Sequence, residues 1–122
     1  MDVGIQTIFS SHGWADITDG QVVREDTQLA LLAAELGFDV VWAAEHHFYN
    51  YSFCPDNVQW LAGIAAQAKH VEVGTAAVIM PWNEPLRVAE KIALLDHMTE
   101  GRVRFGMGRG LSKREYSHFR GI

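Results

Sequence analysis

The sequence predicts an α/β fold of about four βα units, with parallel strands alternating with helices. Short strand-like segments recur at residues 3–9, 39–44, 71–78 and 102–107. Between them, apolar residues repeat at helical spacing. Successive runs start about 32 to 36 residues apart, the length of a βαβ unit.

Each element follows from local chemistry. The first strand leads into a polar loop from Ser10 to Gly20, after which Leu29, Leu32, Ala33 and Leu36 mark a helix. Gly37 stands where a helix end needs a left-handed residue. The run at 39–44 is almost continuously apolar, as in strands buried on both faces. A polar and aromatic loop from Glu45 to Cys54 follows, and Asp56 is placed to cap a second helix with Val58, Leu61, Ala65 and Ala68 as its buried stripe. After the third strand, Asn83 is expected to cap a third helix with Pro85 in its first turn and Val88, Ile92 and Leu95 inward. Gly101 ends that helix, and the fourth strand runs into a glycine-bearing polar stretch from Gly108 to Ile122.

Composition narrows the function classes. The formal net charge of −5 argues against a general nucleic-acid grip. A late basic cluster, Arg102, Arg104, Arg109, Lys113 and Arg114, suits an anionic small molecule or a solvated face. No apolar run is long enough for a membrane span, and no signal peptide is evident. The sole cysteine, Cys54, fits a reducing compartment, so a cytoplasmic location is expected.

Two architectures compete for this pattern. A doubly wound sheet carries a glycine-rich phosphate turn after its first strand, but Ser10-Ser11-His12-Gly13-Trp14 stands there. A (β/α)8 TIM barrel needs twice as many strands, and the pattern modestly favours its half. In either fold, chemistry collects where strands exit into loops. That rule selects Ser10, Ser11 and His12; Glu45, His46 and His47; Ala76, Ala77 and Met80; and Gly108, Arg109 and Gly110.

Glu45-His46-His47 is the most informative group, because imidazoles move protons near neutrality and a carboxylate can orient one. Adjacent residues point to opposite sides, so the two rings are expected to divide their tasks. A structural histidine pair explains the same residues. No metal site is expected, since the spacing is not that of a ligand pair and a third ligand is missing. Glycines at 106, 108 and 110 permit close backbone approach to a planar ring or phosphate, and Arg109 offers a fork of donors. A tight turn with a surface arginine accounts for them equally well. The small Ala76 and Ala77 leave room for a flat ligand or a closely packed helix.

In order along the chain stand Gly37-Phe38-Asp39-Val40-Val41-Trp42, Glu45-His46-His47-Phe48, Val73-Gly74-Thr75-Ala76-Ala77-Val78-Ile79-Met80-Pro81, Pro85-Leu86-Arg87-Val88-Ala89-Glu90, Leu95-Asp96-His97-Met98-Thr99-Glu100-Gly101-Arg102 and Phe105-Gly106-Met107-Gly108-Arg109-Gly110. Together they resemble the bacterial luciferase-like flavin monooxygenases. The resemblance implies the N-terminal half of a (β/α)8 barrel, residues 1–122 forming one partial domain truncated after strand four. It implies reduced FMN from a separate flavin reductase, dioxygen, a small organic substrate, and a homo- or heterodimer. By resemblance His46 is the catalytic histidine, Ala76 and Ala77 lie along the flavin ring and are joined by a cis peptide, and Arg109 contacts the flavin beside Gly108. The luciferase catalytic subunit has cysteine where Gly108 stands, which favours a general monooxygenase over light emission. A deazaflavin-dependent reductase of the same barrel family and a non-catalytic partner subunit are the alternatives. With part of the flavin site absent, the 122-residue chain alone is expected to bind flavin weakly and to be inactive.

Overall fold

The computed structural model describes residues 1–122. In chain order the elements are β1 (Gly4–Thr7), α1 (Asp19–Glu35), β2 (Val40–Ala43), α2 (Asn57–Gln67), β3 (Glu72–Thr75), β4 (Val78–Ile79), a 3-10 turn (Met80–Trp82), α3 (Pro85–Thr99), β5 (Val103–Arg104), β6 (Met107–Gly108) and α4 (Lys113–Arg120). β1, β2, β3 and β5 form one parallel sheet in that order, and β4 pairs in parallel with β6. No helix is long and apolar enough to cross a membrane.

Strand register assigns the two faces of the sheet. Ile5, Val41, Val73 and Val103 lie side by side. This row packs in one core with Ala30 and Ala34 of α1, Leu61, Ile64 and Ala65 of α2, and Val88 and Leu95 of α3. All three helices therefore cover the same face. Strands in sequential order with helices on one face make a singly wound sheet, the arrangement of a (β/α) barrel. A doubly wound sheet reverses its strand order and carries helices on both faces.

The helix ends follow the sequence in part. Asp56 caps α2, accepting from the Gln59 N–H at 3.0 Å. Gly37 adopts φ +91° just beyond α1. Thr18 caps α1 through the Gln21 N–H. Leu29, Leu32 and Leu36 are exposed, and the buried residues of α1 are Val22, Ala30, Ala33 and Ala34. Small side chains there let the helix axis approach the sheet. Asn83 does not cap α3; Glu84 does, accepting from the Arg87 N–H at 2.9 Å. Asn83 is turned inward to a buried carboxylate instead.

The third and fourth apolar runs each divide into two short strands. The Thr75 hydroxyl donates to the Gly106 carbonyl and accepts from the Gly106 N–H, both at 2.9 Å, so a side chain replaces the ladder at that step. The backbones approach so closely that a Cβ on Gly106 would lie 2.3 Å from the Thr75 carbonyl oxygen.

The other face carries the row Gln6, Trp42, Gly74 and Arg104. Trp42 lies flat over Gly74, where an added Cβ would stand 2.3 Å from Cε3 of the indole. Gly74→Ala must displace a rigid ring, so it should cost about 1–3 kcal/mol. A lower urea midpoint at unchanged m-value would show this, and an unchanged midpoint would mean that Trp42 swings aside freely. Cys54 is buried with Phe9 and Val22, and burial pushes its thiol up to about 12. At about pH 8 its thiolate fraction is then on the order of one in ten thousand. Iodoacetamide should label Cys54 only after unfolding, and prompt labelling of the native protein would refute that burial.

Candidate active site at the strand exits

Two buried carboxylates organise the edge where the strands exit. Glu45, at the end of β2, is 4% exposed. A carboxylate so placed needs donors, and it receives them from elsewhere in the fold. Its Oε2 accepts from the Ile79 N–H at 2.8 Å and from Asn83 Nδ2 at 3.2 Å. Its Oε1 accepts from Trp82 Nε1 at 3.1 Å and Asn83 Nδ2 at 3.0 Å, and faces His47 Nε2 at 3.0 Å. Glu45 thus fixes the turn after β4 and one of the two histidines.

Glu115, in α4, is fully buried. Its Oε1 accepts from the His47 backbone N–H at 2.7 Å and lies 3.1 Å from His46 Nδ1. An oxygen already accepting one N–H faces Nδ1, so Nδ1 carries the hydrogen and Nε2 of His46 is left as the acceptor. The same reasoning at Glu45 puts the hydrogen of His47 on Nε2. The two histidines therefore divide as expected. His47 is packed, its ring edge-on to Phe119 at 4.8 Å and near Trp82. His46 keeps 38% of its side chain open.

The other sequence-selected residues occupy the same edge. The Ala76–Ala77 peptide is cis. The Ala76 N–H donates to the Ala43 carbonyl at 2.8 Å, and Ala76 itself is exposed. Asn57, buried at the start of α2, bridges the Ala43 and Ala77 carbonyls from Nδ2 at 3.1 and 3.2 Å. Gly108 lies against Ala77: an added Cβ would be 3.3 Å from the Ala77 Cβ and 3.0 Å from Ile79 Cδ1. Arg109 is exposed, and its carbonyl accepts from the Tyr116 hydroxyl. His12 stands apart from His46, in the loop after β1, beside Trp14 and Tyr51.

Sequence reasoning missed Glu115, Asn57 and the inward role of Asn83. A signal for α4 was present: Ser112-Lys113-Arg114-Glu115 has the S-x-x-E pattern of a capped helix start. Ser112 Oγ does accept from the Glu115 N–H, at 3.3 Å. The glutamate side chain turns inward to the histidines instead of back to the cap. Nothing in the spacing of Asn57 or Asn83 distinguishes a buried bridging amide from a capping one.

The arrangement offers an oriented imidazole nitrogen at the edge where the strands exit. Ala76, Ala77 and Gly108 carry little bulk, and a Cβ added at Gly108 would press on Ile79 Cδ1 at 3.0 Å and on the Ala77 Cβ at 3.3 Å.

Comparison with known proteins agrees. Residues 1–121 match the luciferase-like monooxygenase family. The alkanal monooxygenase alpha chain of Photorhabdus laumondii subsp. laumondii is 36% identical over 99 residues, covering 81% of this chain and 28% of that one. The oxygenase component of a flavin-dependent trigonelline monooxygenase from Acinetobacter baylyi is 32% identical, with the same two coverages. The crystal structure of monooxygenase RslO1 from Streptomyces bottropensis superposes with a TM-score of 0.89 at 39% identity, covering 98% of this chain and 36% of that one. The chain thus spans about a third or less of the length of these relatives. On this breadth of match, the chain belongs to the luciferase-like monooxygenase family.

Proposed function

We propose that this chain supplies the catalytic edge of a monooxygenase that uses reduced FMN and dioxygen to oxidise a small organic substrate. A separate flavin reductase would deliver the reduced cofactor. The observation that carries the reading is the Glu115–His46 pair: a buried carboxylate holds Nδ1 at 3.1 Å and leaves Nε2 directed away from it on a half-open ring. The flavin-dependent relative, similar over most of this chain, supports the choice of cofactor.

When bound, the flavin supplies the redox chemistry, and the protein supplies binding, orientation and electrostatics. Ala76, Ala77 and Gly108 would hold its ring. Arg109 offers guanidinium donors to a polar ring edge or a phosphate. His46 holds or accepts a proton at Nε2, and Glu115 keeps the ring in the tautomer that leaves Nε2 free. Phe48, Trp82 and Phe119 cluster around His47 on this side of the site.

His46→Asn is the informative variant, because the asparagine amide can replace Nδ1–H toward Glu115 while removing Nε2. In the full-length protein it should leave the melting temperature and the anaerobic affinity for reduced FMN unchanged. Turnover should fall by about 10²–10⁴-fold, the usual weight of a general acid–base group. Unchanged turnover would remove His46 from the chemistry, and tighter binding of a reduced deazaflavin than of FMN would replace the cofactor assignment.

A further inference from the structure

Beside His46 the surface sinks into an apolar pocket of about 180 Å³, lined by His46, Tyr49, Tyr51, Leu111 and Ser112. We propose that this pocket seats a neutral ring, aromatic or alicyclic, belonging to the substrate. The proposal rests on the oxygenase reading above and adds a substrate class to it.

The walls are prearranged. The Tyr49 hydroxyl and Ser112 Oγ are hydrogen-bonded at 2.7 Å, so Tyr49 offers the pocket its ring rather than its hydroxyl. The Arg114 guanidinium covers one face of that ring, 4.8 Å from its centroid, and is itself tied to the Phe48 carbonyl at 2.8 Å. Arg114 does not itself line the pocket. Tyr51 lies near His12, which in turn contacts Trp14. The loop carrying Tyr51 is pinned to the loop after β1. The Ser11 and His12 N–H groups both donate to the Asn50 carbonyl, and the Ser52 N–H donates to Ser10 Oγ at 3.1 Å.

Chemistry and size select the occupant. His46 is the sole titratable lining group apart from the two tyrosines, and no carboxylate, lysine or arginine faces the space. An ionised group seated here would gain no counter-charge from the lining. At about 180 Å³ the space has room for one ring. Two tyrosines also favour a flat or compact partner through ring contact.

Matched probes test the proposal in the full-length protein, with Leu111 observed through ¹³C-labelled leucine methyl groups. Benzyl alcohol and cyclohexanol should shift the Leu111 signals saturably. Benzoate, equal in size but charged, and hexan-1-ol, equal in carbon count but linear, should bind at least about tenfold more weakly. Tyr51 is exposed, so Tyr51→Ala should leave the fold intact and weaken benzyl alcohol by about three- to tenfold, while Tyr49→Phe, which keeps the ring, should not. Equal binding of benzoate, equal binding of hexan-1-ol, or indifference to Tyr51→Ala would each overturn the proposal. Reduced FMN titrated into the same samples separates the two readings. Ring binding without FMN binding sustains the pocket and removes the oxygenase; FMN binding without ring binding removes the pocket alone.

Discussion

A carboxylate buried at the end of a strand must find donors or destabilise the fold, and Glu45 finds four of them. Its partners come from the next strand exit, from the turn beyond it, and from its neighbour His47. Removing Glu45 would leave the Ile79 N–H, the Trp82 indole and the Asn83 amide without their acceptor at once. Because His47 is fixed this way, its backbone N–H points to Glu115 and helps seat α4 against the strand exits. The geometry of His46 is thus the end of a chain of hydrogen bonds that starts at Glu45.

The sheet supplies what that chain stands on. The singly wound order puts every strand exit on one edge, so residues about thirty positions apart in sequence become neighbours. Close approach is purchased with small residues: Gly74 under Trp42, Gly106 against Thr75, Gly108 against Ala77. The same absence of bulk that lets the strands meet leaves a flat surface on the open side. Ala76 is nonetheless exposed there.

Much of this was legible in the sequence, for physical reasons. Strand cores such as Val40–Ala43 announce themselves because burial on both faces demands a continuous apolar run. Asp56 and Gly37 were readable because their roles are local. The resumption of pairing at β4 was not, since the Thr75 side chain that takes the place of the ladder bonds Gly106, 31 residues on. α4 lacked an apolar stripe to reveal it, as its key residue is a buried glutamate that meets the histidines through one oxygen. Asn83 misled because an asparagine before a proline-initiated helix looks like a cap. The leucines of α1 misled because hydrophobic spacing reports a face but not which face meets the sheet, and there alanines won.

The central claim is that two carboxylates impose opposite tautomers on adjacent histidines and so free one nitrogen for chemistry. Long-range ¹H–¹⁵N NMR of the imidazole rings tests it most directly, at about pH 8 where an ordinary imidazole is neutral. The structure predicts that His46 carries its hydrogen on Nδ1 and His47 on Nε2. A His46 ring with its hydrogen on Nε2 alone would contradict the account.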